Sequence, residues 1–158
     1  IVLTEAGKTL ATTMVRRHRL AERFLTDMLG LSWAEAHHEA GKWEHVISPS
    51  VEKAIVQQLD DPTTCPHGNP IPGSGYVERD LVTLSSVATG SSAVITRIPE
   101  ELEFTPGLLE FLETNEIIPG AEAAVIATSP DGTTTIDLGG SIVGISAFTA
   151  ERILVVAG

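Results

Sequence analysis

His18 and Glu22 lie four positions apart in a stretch with helical hydrophobic spacing, so their side chains leave one helix face together. A second stretch offers His37, Gly41, Glu44 and His45, at offsets of zero, four, seven and eight, again along one face. Imidazoles and carboxylates on two adjacent helices can close around a divalent cation, because each helix presents its ligands without a loop to position them. Glu44 and His45 are neighbours that diverge by about 100° around a helix axis, so they suit a site lying between several elements. A third set is Cys65-Pro66-His67-Gly68, in which a Pro/Gly loop could supply one thiolate and one imidazole to a transition metal. Two ligands do not fill a coordination sphere, and a loop cysteine is as often inert. Glu100-Glu101-Leu102-Glu103 follows a predicted strand and, taken alone, reads as a solvated charge run. A histidine set in an apolar stripe, as His18 is between Met14 and Ala21, is often a hydrogen-bonded packing residue. Spacing alone leaves the metal reading and the packing reading both open. Trp33 and Trp43 read as core.

The elements that must hold these groups can be traced along the chain. Thr4 is the expected N-cap of a first helix, in which Leu10, Met14, Ala21, Leu25 and Met28 recur at helical spacing until Gly30. Ser32-Trp33-Ala34-Glu35 is a capping box that opens a second helix reaching about Val46. Ser48-Pro49 opens a third, with proline at the first helical position, and Asp60-Asp61-Pro62 stops it. Residues 60–80 hold Pro62, Pro66, Pro70, Pro72 and three glycines and read as a loop. Short apolar runs follow at Val82–Leu84, Ala93–Ile98, Ala123–Ala127, Thr134–Leu138 and Ile153–Val156, with one short helix from Gly107 to about Thr114. The fold class is therefore α+β: a helical domain over 1–60, a Pro-rich linker loop over 61–80, and a small antiparallel β-barrel domain over 81–158.

Composition narrows the function. With 158 residues and 42% apolar side chains the chain can bury a sizeable core. No apolar run approaches the roughly 18–20 residues that cross a bilayer, and the start has neither a basic segment nor an apolar one of the signal-peptide kind. One cysteine cannot form an internal disulfide, which fits a reducing cytoplasm. The net charge of −11 is uneven: seven Lys/Arg balance seven Asp/Glu through Leu59, whereas three face fourteen from Asp60 onward. Such a surface repels phosphate backbones, so this chain alone is expected not to bind nucleic acid well. All five histidines and the cysteine precede residue 68, which confines soft and borderline ligands to the first half. A phosphate-binding glycine loop, a G-x-S-x-G elbow and an H-E-x-x-H motif are all missing from the sequence.

Four motifs then carry a family resemblance. Leu3-Thr4-Glu5-Ala6-Gly7, His18-Arg19-Leu20-Ala21-Glu22, Trp43-Glu44-His45-Val46-Ile47-Ser48 and Gly68-Asn69-Pro70-Ile71-Pro72-Gly73 resemble, in order and spacing, the diphtheria toxin repressor and iron-dependent regulator family. From about Leu81 the chain is similar to the SH3-like (FeoA-like) domain that closes many members, through Gly90, Ala93–Ile98, Leu108-Leu109 and Ile117-Ile118-Pro119-Gly120. The resemblance implies a cytoplasmic homodimeric repressor, not an enzyme, with an N-terminal winged helix-turn-helix that reads operator DNA, a helical metal-binding and dimerisation domain, and the SH3-like domain. On this reading the chain begins at the last strand of the wing, and DNA is contacted in the full-length protein rather than through this part.

The resemblance also implies a ligand set. His18 and Glu22 match family ligands on the long helix, and His37 matches a further ligand of the ancillary site. Glu100 and Glu103 fall on the two positions by which the SH3-like domain reaches that metal. Cys65 and His67 match ligands of a secondary site in manganese-type members. Glu44 and His45 match ligands of the primary site, but the position three residues before Glu44, usually Cys, Glu or Asp, is Gly41. That site is incomplete, so the ancillary one is expected to be better occupied, by Mn(II) or Fe(II), with Zn(II), Ni(II) or Co(II) as substitutes. A cation shared by His18, Glu22 and a carboxylate of the β domain would tether one domain to the other. Two other classes compete: a metal-dependent hydrolase using the same ligands, and a protein-interaction module whose histidines are structural.

Overall fold

Thr4 accepts a hydrogen bond from the Gly7 N–H and starts α1, Glu5–Leu29. The helix ends at Gly30, whose φ of 71° lies in the left-handed region, where glycine alone carries no Cβ penalty. Both halves of the Ser32–Glu35 capping box are formed, and they open α2, Trp33–Trp43. Ser48 caps α3, Pro49–Gln58, with Pro49 in the first turn. These elements belong to a unit ending at Val77, and a second unit runs from Glu78 to Gly158 in the computed structural model, which describes residues 2–158.

In the first unit the apolar stripes of three helices meet. Leu20, Ala21 and Leu25 of α1 pack with Ala36 and Ala40 of α2, Ile55 of α3, and Ile47 and Ile71 of the connecting segments. Small residues at 21, 36 and 40 are almost fully buried, which lets α1 and α2 approach closely enough for their polar faces to share partners. The Pro-rich segment is held against α1 by arginines: Arg19 Nη1 donates to the Pro70 carbonyl at 2.5 Å and Arg16 Nη1 to the Pro72 carbonyl at 2.7 Å. Within that segment the Cys65 N–H donates to the Asn69 carbonyl at 2.9 Å, and Gly68, with φ 83°, donates back to the Cys65 carbonyl at 3.0 Å. Cys65, His67 and Ile71 are thereby buried.

The second unit is a six-stranded antiparallel sheet in the order β1-β6-β2-β3-β4-β5. The strands are β1 Val82–Thr83, β2 Ser92–Arg97, β3 Glu122–Thr128, β4 Thr134–Asp137, β5 Ile142–Ile145 and β6 Leu154–Ala157. Alternate residues Ala93/Ile95, Ala123/Val125, Val143/Ile145 and Val155 face the core, the period-2 pattern of a half-buried sheet. Helices α4 Glu100–Glu103, α5 Leu108–Thr114 and α6 Ala147–Ala150 punctuate it. Five elements differ from the sequence reading. The second helix stops at Trp43 rather than near Val46. Residues 84–86 leave the expected first strand as a 3-10 turn, the acidic run 100–103 is one helical turn, β5 emerges behind Gly139-Gly140, and α6 adds a short helix at 147–150.

Candidate metal centre

The centre is built on Glu22, a carboxylate 1% exposed on the inner face of α1. Its Oε1 lies 3.1 Å from His18 Nε2, one turn earlier on the same helix, and 2.9 Å from His37 Nδ1 on α2. The two imidazole nitrogens are 3.3 Å apart. Cis ligands on an ion with bonds of about 2.1 Å stand roughly 3 Å from one another, so this trio has the spacing of a coordination shell. A second grouping shares the same carboxylate: ligand atoms of Glu22, Cys65 and His67 lie within 4.8 Å of one another. Trp33 meets the His67 ring edge-on with centroids 4.6 Å apart and packs that imidazole in place.

Electrostatics explain how a carboxylate survives there. Burial pushes the Glu22 carboxyl up, but hydrogen bonds to His18 and His37 and the charges of His67 and His18 hold it down to about 2. Burial works against protonated His18, yet hydrogen bonds and charge from Glu22, then Glu44, raise its pKa above the ordinary 6.5. Glu22 Oε2 is also buried and finds no hydrogen-bond partner among the described residues. A buried carboxylate oxygen left in that state costs free energy unless a donor or cation reaches it. Two nitrogens, a carboxylate with a spare oxygen, and a nearby thiol and imidazole fit a divalent transition metal.

The remaining predicted residues are placed differently. Glu44, at the C-terminal end of α2, sets Oε2 at 2.6 Å from His18 Nδ1. His45 has a side chain 67% exposed, with Nε2 3.4 Å from Glu44 Oε1. A Cβ added at Gly41 would meet nothing within 4 Å among the described residues. Glu100 and Glu103 stand on α4 of the second unit. Sequence reasoning missed the Glu44–His18 contact, the Trp33 buttress and the two arginine anchors of the loop. The first depends on the register of α1 against α2, which no spacing within either helix reveals. The anchors left a faint trace, as Arg16 and Arg19 sit three residues apart on α1.

A helical unit with a buried imidazole–carboxylate–thiol cluster, followed by a separate sheet unit, defines a two-part protein equipped for a divalent metal. Residues 4–73 match the iron dependent repressor metal binding and dimerisation domain, and residues 82–157 match the FeoA domain. The iron-dependent repressor IdeR of Mycobacterium tuberculosis (strain ATCC 25618 / H37Rv) is 40% identical over 149 residues, covering 87% of this chain and 64% of that protein. The diphtheria toxin repressor of Corynebacterium diphtheriae is 40% identical over 118 residues, covering 73% of this chain and 48% of the repressor. A solved manganese-dependent transcriptional repressor superposes with a TM-score of 0.87 at 31% identity, over 99% of this chain and 85% of that one. The chain belongs to the diphtheria toxin repressor and iron-dependent regulator family, and covers its metal-binding and dimerisation part. It spans less than two thirds of the length of the curated relatives it matches.

Proposed function

We propose that this chain is the metal-sensing and dimerising part of a transcriptional repressor that responds to Fe(II) or Mn(II). The observation that carries the reading is the convergence of His18, Glu22 and His37 on a common point, with one Glu22 oxygen buried and without a hydrogen-bond partner among the described residues. His18, Glu22 and His37 would hold the ion, and Cys65 and His67 offer a thiolate and an imidazole in a second grouping that shares Glu22. A divalent cation bound there supplies the positive charge that offsets the buried carboxylate. The protein's own residues supply the rest. α1, α2 and the Pro-rich loop each contribute ligands, so filling the site fixes three segments relative to one another. Such a site regulates only if it prefers one arrangement of the protein over another, since equal affinity shifts no population.

The dimer and the operator are part of the same proposal. The matched domain is named for dimerisation, and sedimentation at micromolar concentration is expected to give a dimer; a monomer would count against it. DNA contact is assigned to other parts of the full-length protein, because the net charge of −11 opposes phosphate binding by this part. Relatives named as repressors point away from an enzyme. Among the described residues no helix is long and apolar enough to cross a membrane. The direct test is calorimetric titration with Mn(II) and Fe(II). His18→Ala and Glu22→Ala should each weaken binding strongly, and unchanged affinity in both variants would remove this site.

A further inference from the structure

His18 is gripped at both ring nitrogens. Nδ1 faces Glu44 Oε2 at 2.6 Å, while Nε2 faces Glu22 Oε1 at 3.1 Å and His37 Nδ1 at 3.3 Å. A neutral imidazole carries one N–H and one lone pair. If the proton sits on Nδ1 it is donated to Glu44, and the lone pair on Nε2 points at the group formed by Glu22 and His37. With a cation taking up the Nε2 lone pair, this tautomer satisfies both ring nitrogens, whereas the opposite one would aim a lone pair at Glu44 Oε2 2.6 Å away and an N–H at the cation. Without the cation, Nε2 faces the Glu22 carboxylate and carries a proton instead. Carboxylates that accept the outer N–H of a metal-binding histidine fix its tautomer and ring orientation and raise its basicity.

The residues around Glu44 speak against a separate ion there. Gly41 brings no side chain, and the adjacent His45 is largely in solvent. Glu44 itself reaches 26 residues back along the chain to His18. We infer that Glu44 is a positioning residue, which holds His18 as the Nδ1–H tautomer so that Nε2 is presented to the metal, rather than a ligand of its own site. The inference rests on reading His18 as a metal ligand. It also assigns the Glu44 carboxylate a role that the family resemblance does not.

The test uses the full chain, with Zn(II) as a diamagnetic probe and ¹⁵N-labelled histidine. Long-range proton–nitrogen correlation spectra of the loaded protein should show His18 Nδ1 protonated and Nε2 shifted by the metal. A metal shift on Nδ1 instead would overturn the assignment. Glu44→Ala should weaken Zn(II) binding about 10- to 100-fold, the usual cost of losing an outer-shell partner. Glu44→Gln keeps an acceptor oxygen at nearly the same place, so it should retain the Nδ1–H tautomer and recover much of that loss. Thermal unfolding of each metal-free variant guards against a fold defect, and the isosteric Gln variant keeps the test open if Ala unfolds. Loss on His18→Ala with none on Glu44→Ala sinks the positioning role alone. No loss on His18→Ala sinks the metal site beneath it.

Discussion

The corner around Gly41 and the cluster around Glu22 are built from the same two helices and the same kinds of side chain, yet they differ in what surrounds the ligands. At the cluster, α1 and α2 face each other across small buried residues, and three ligand atoms meet within 3.3 Å of their neighbours. At the corner, Glu44 turns away toward His18, His45 faces solvent, and glycine leaves the third position blank. Ligand identity is therefore not enough. What makes one place a candidate metal centre is that packing has already brought its donors together around a buried carboxylate, so an ion meets a preorganised shell.

The contrast can be broken hardest at its centre. Glu22→Ala should reduce Mn(II) affinity by more than about a hundredfold, since it removes a ligand, where loss of an outer partner costs 10- to 100-fold; calorimetry showing a smaller loss than Glu44→Ala would reverse the ranking of the two places. Gly41→Glu approaches from the other side. The open space at that Cβ and the absence of a positive φ allow the side chain to stand beside Glu44 and His45. A second binding event should then appear in the titration, weaker than the first by about tenfold or more, and an unchanged stoichiometry would show that the corner lacks more than one ligand.

Acidity sharpens the same comparison. His18 must give up a proton at Nε2 before it can bind, and its pKa is raised by Glu22 and Glu44 against the effect of burial. Protons therefore compete with the metal below that raised value, and affinity should fall by up to about tenfold per pH unit there. Glu22, held down to about 2, stays ionised throughout. Titrations between pH 6 and pH 8 should show protons released into the buffer as the metal binds, more of them at the lower pH, and a pH-independent affinity would argue against His18 as ligand. In the metal-free protein the two groups act oppositely on stability. The His18 contribution is fully present below its unfolded value of 6.5 and is lost as pH rises through its raised folded value. The Glu22 contribution is present above 4.5 and is lost as pH falls toward 2. The smallest expected change is Gly41→Ala, which should stabilise α2 by about 0.5–1 kcal/mol without altering metal affinity, seen as a rise of a few degrees in the unfolding midpoint.

The two units were legible to different degrees for physical reasons. Helix starts in the first unit are written in local chemistry: the Ser32–Glu35 pair and Ser48-Pro49 make contacts within three residues, and those contacts form. The one-turn helix at 100–103 and the four-residue strand at 142–145 carry too few residues for a period to emerge, and Gly144 interrupts the latter. Within the centre, His18 and Glu22 could be paired because both lie on one helix, four residues apart. The meeting of Glu22 with His37, and of Glu44 with His18, is set by how α1 slides against α2. That register comes from the packing of Leu20, Ala21, Leu25, Ala36 and Ala40, and the resemblance rather than the spacing anticipated the first of these meetings.

The most direct test is anomalous diffraction from crystals of the full chain loaded with Mn(II), recorded at the manganese edge. The account predicts a peak about 2.0–2.3 Å from the Glu22 carboxylate, His18 Nε2 and His37 Nδ1. A peak at Glu44 and His45 instead, with no density between those three side chains, would contradict it.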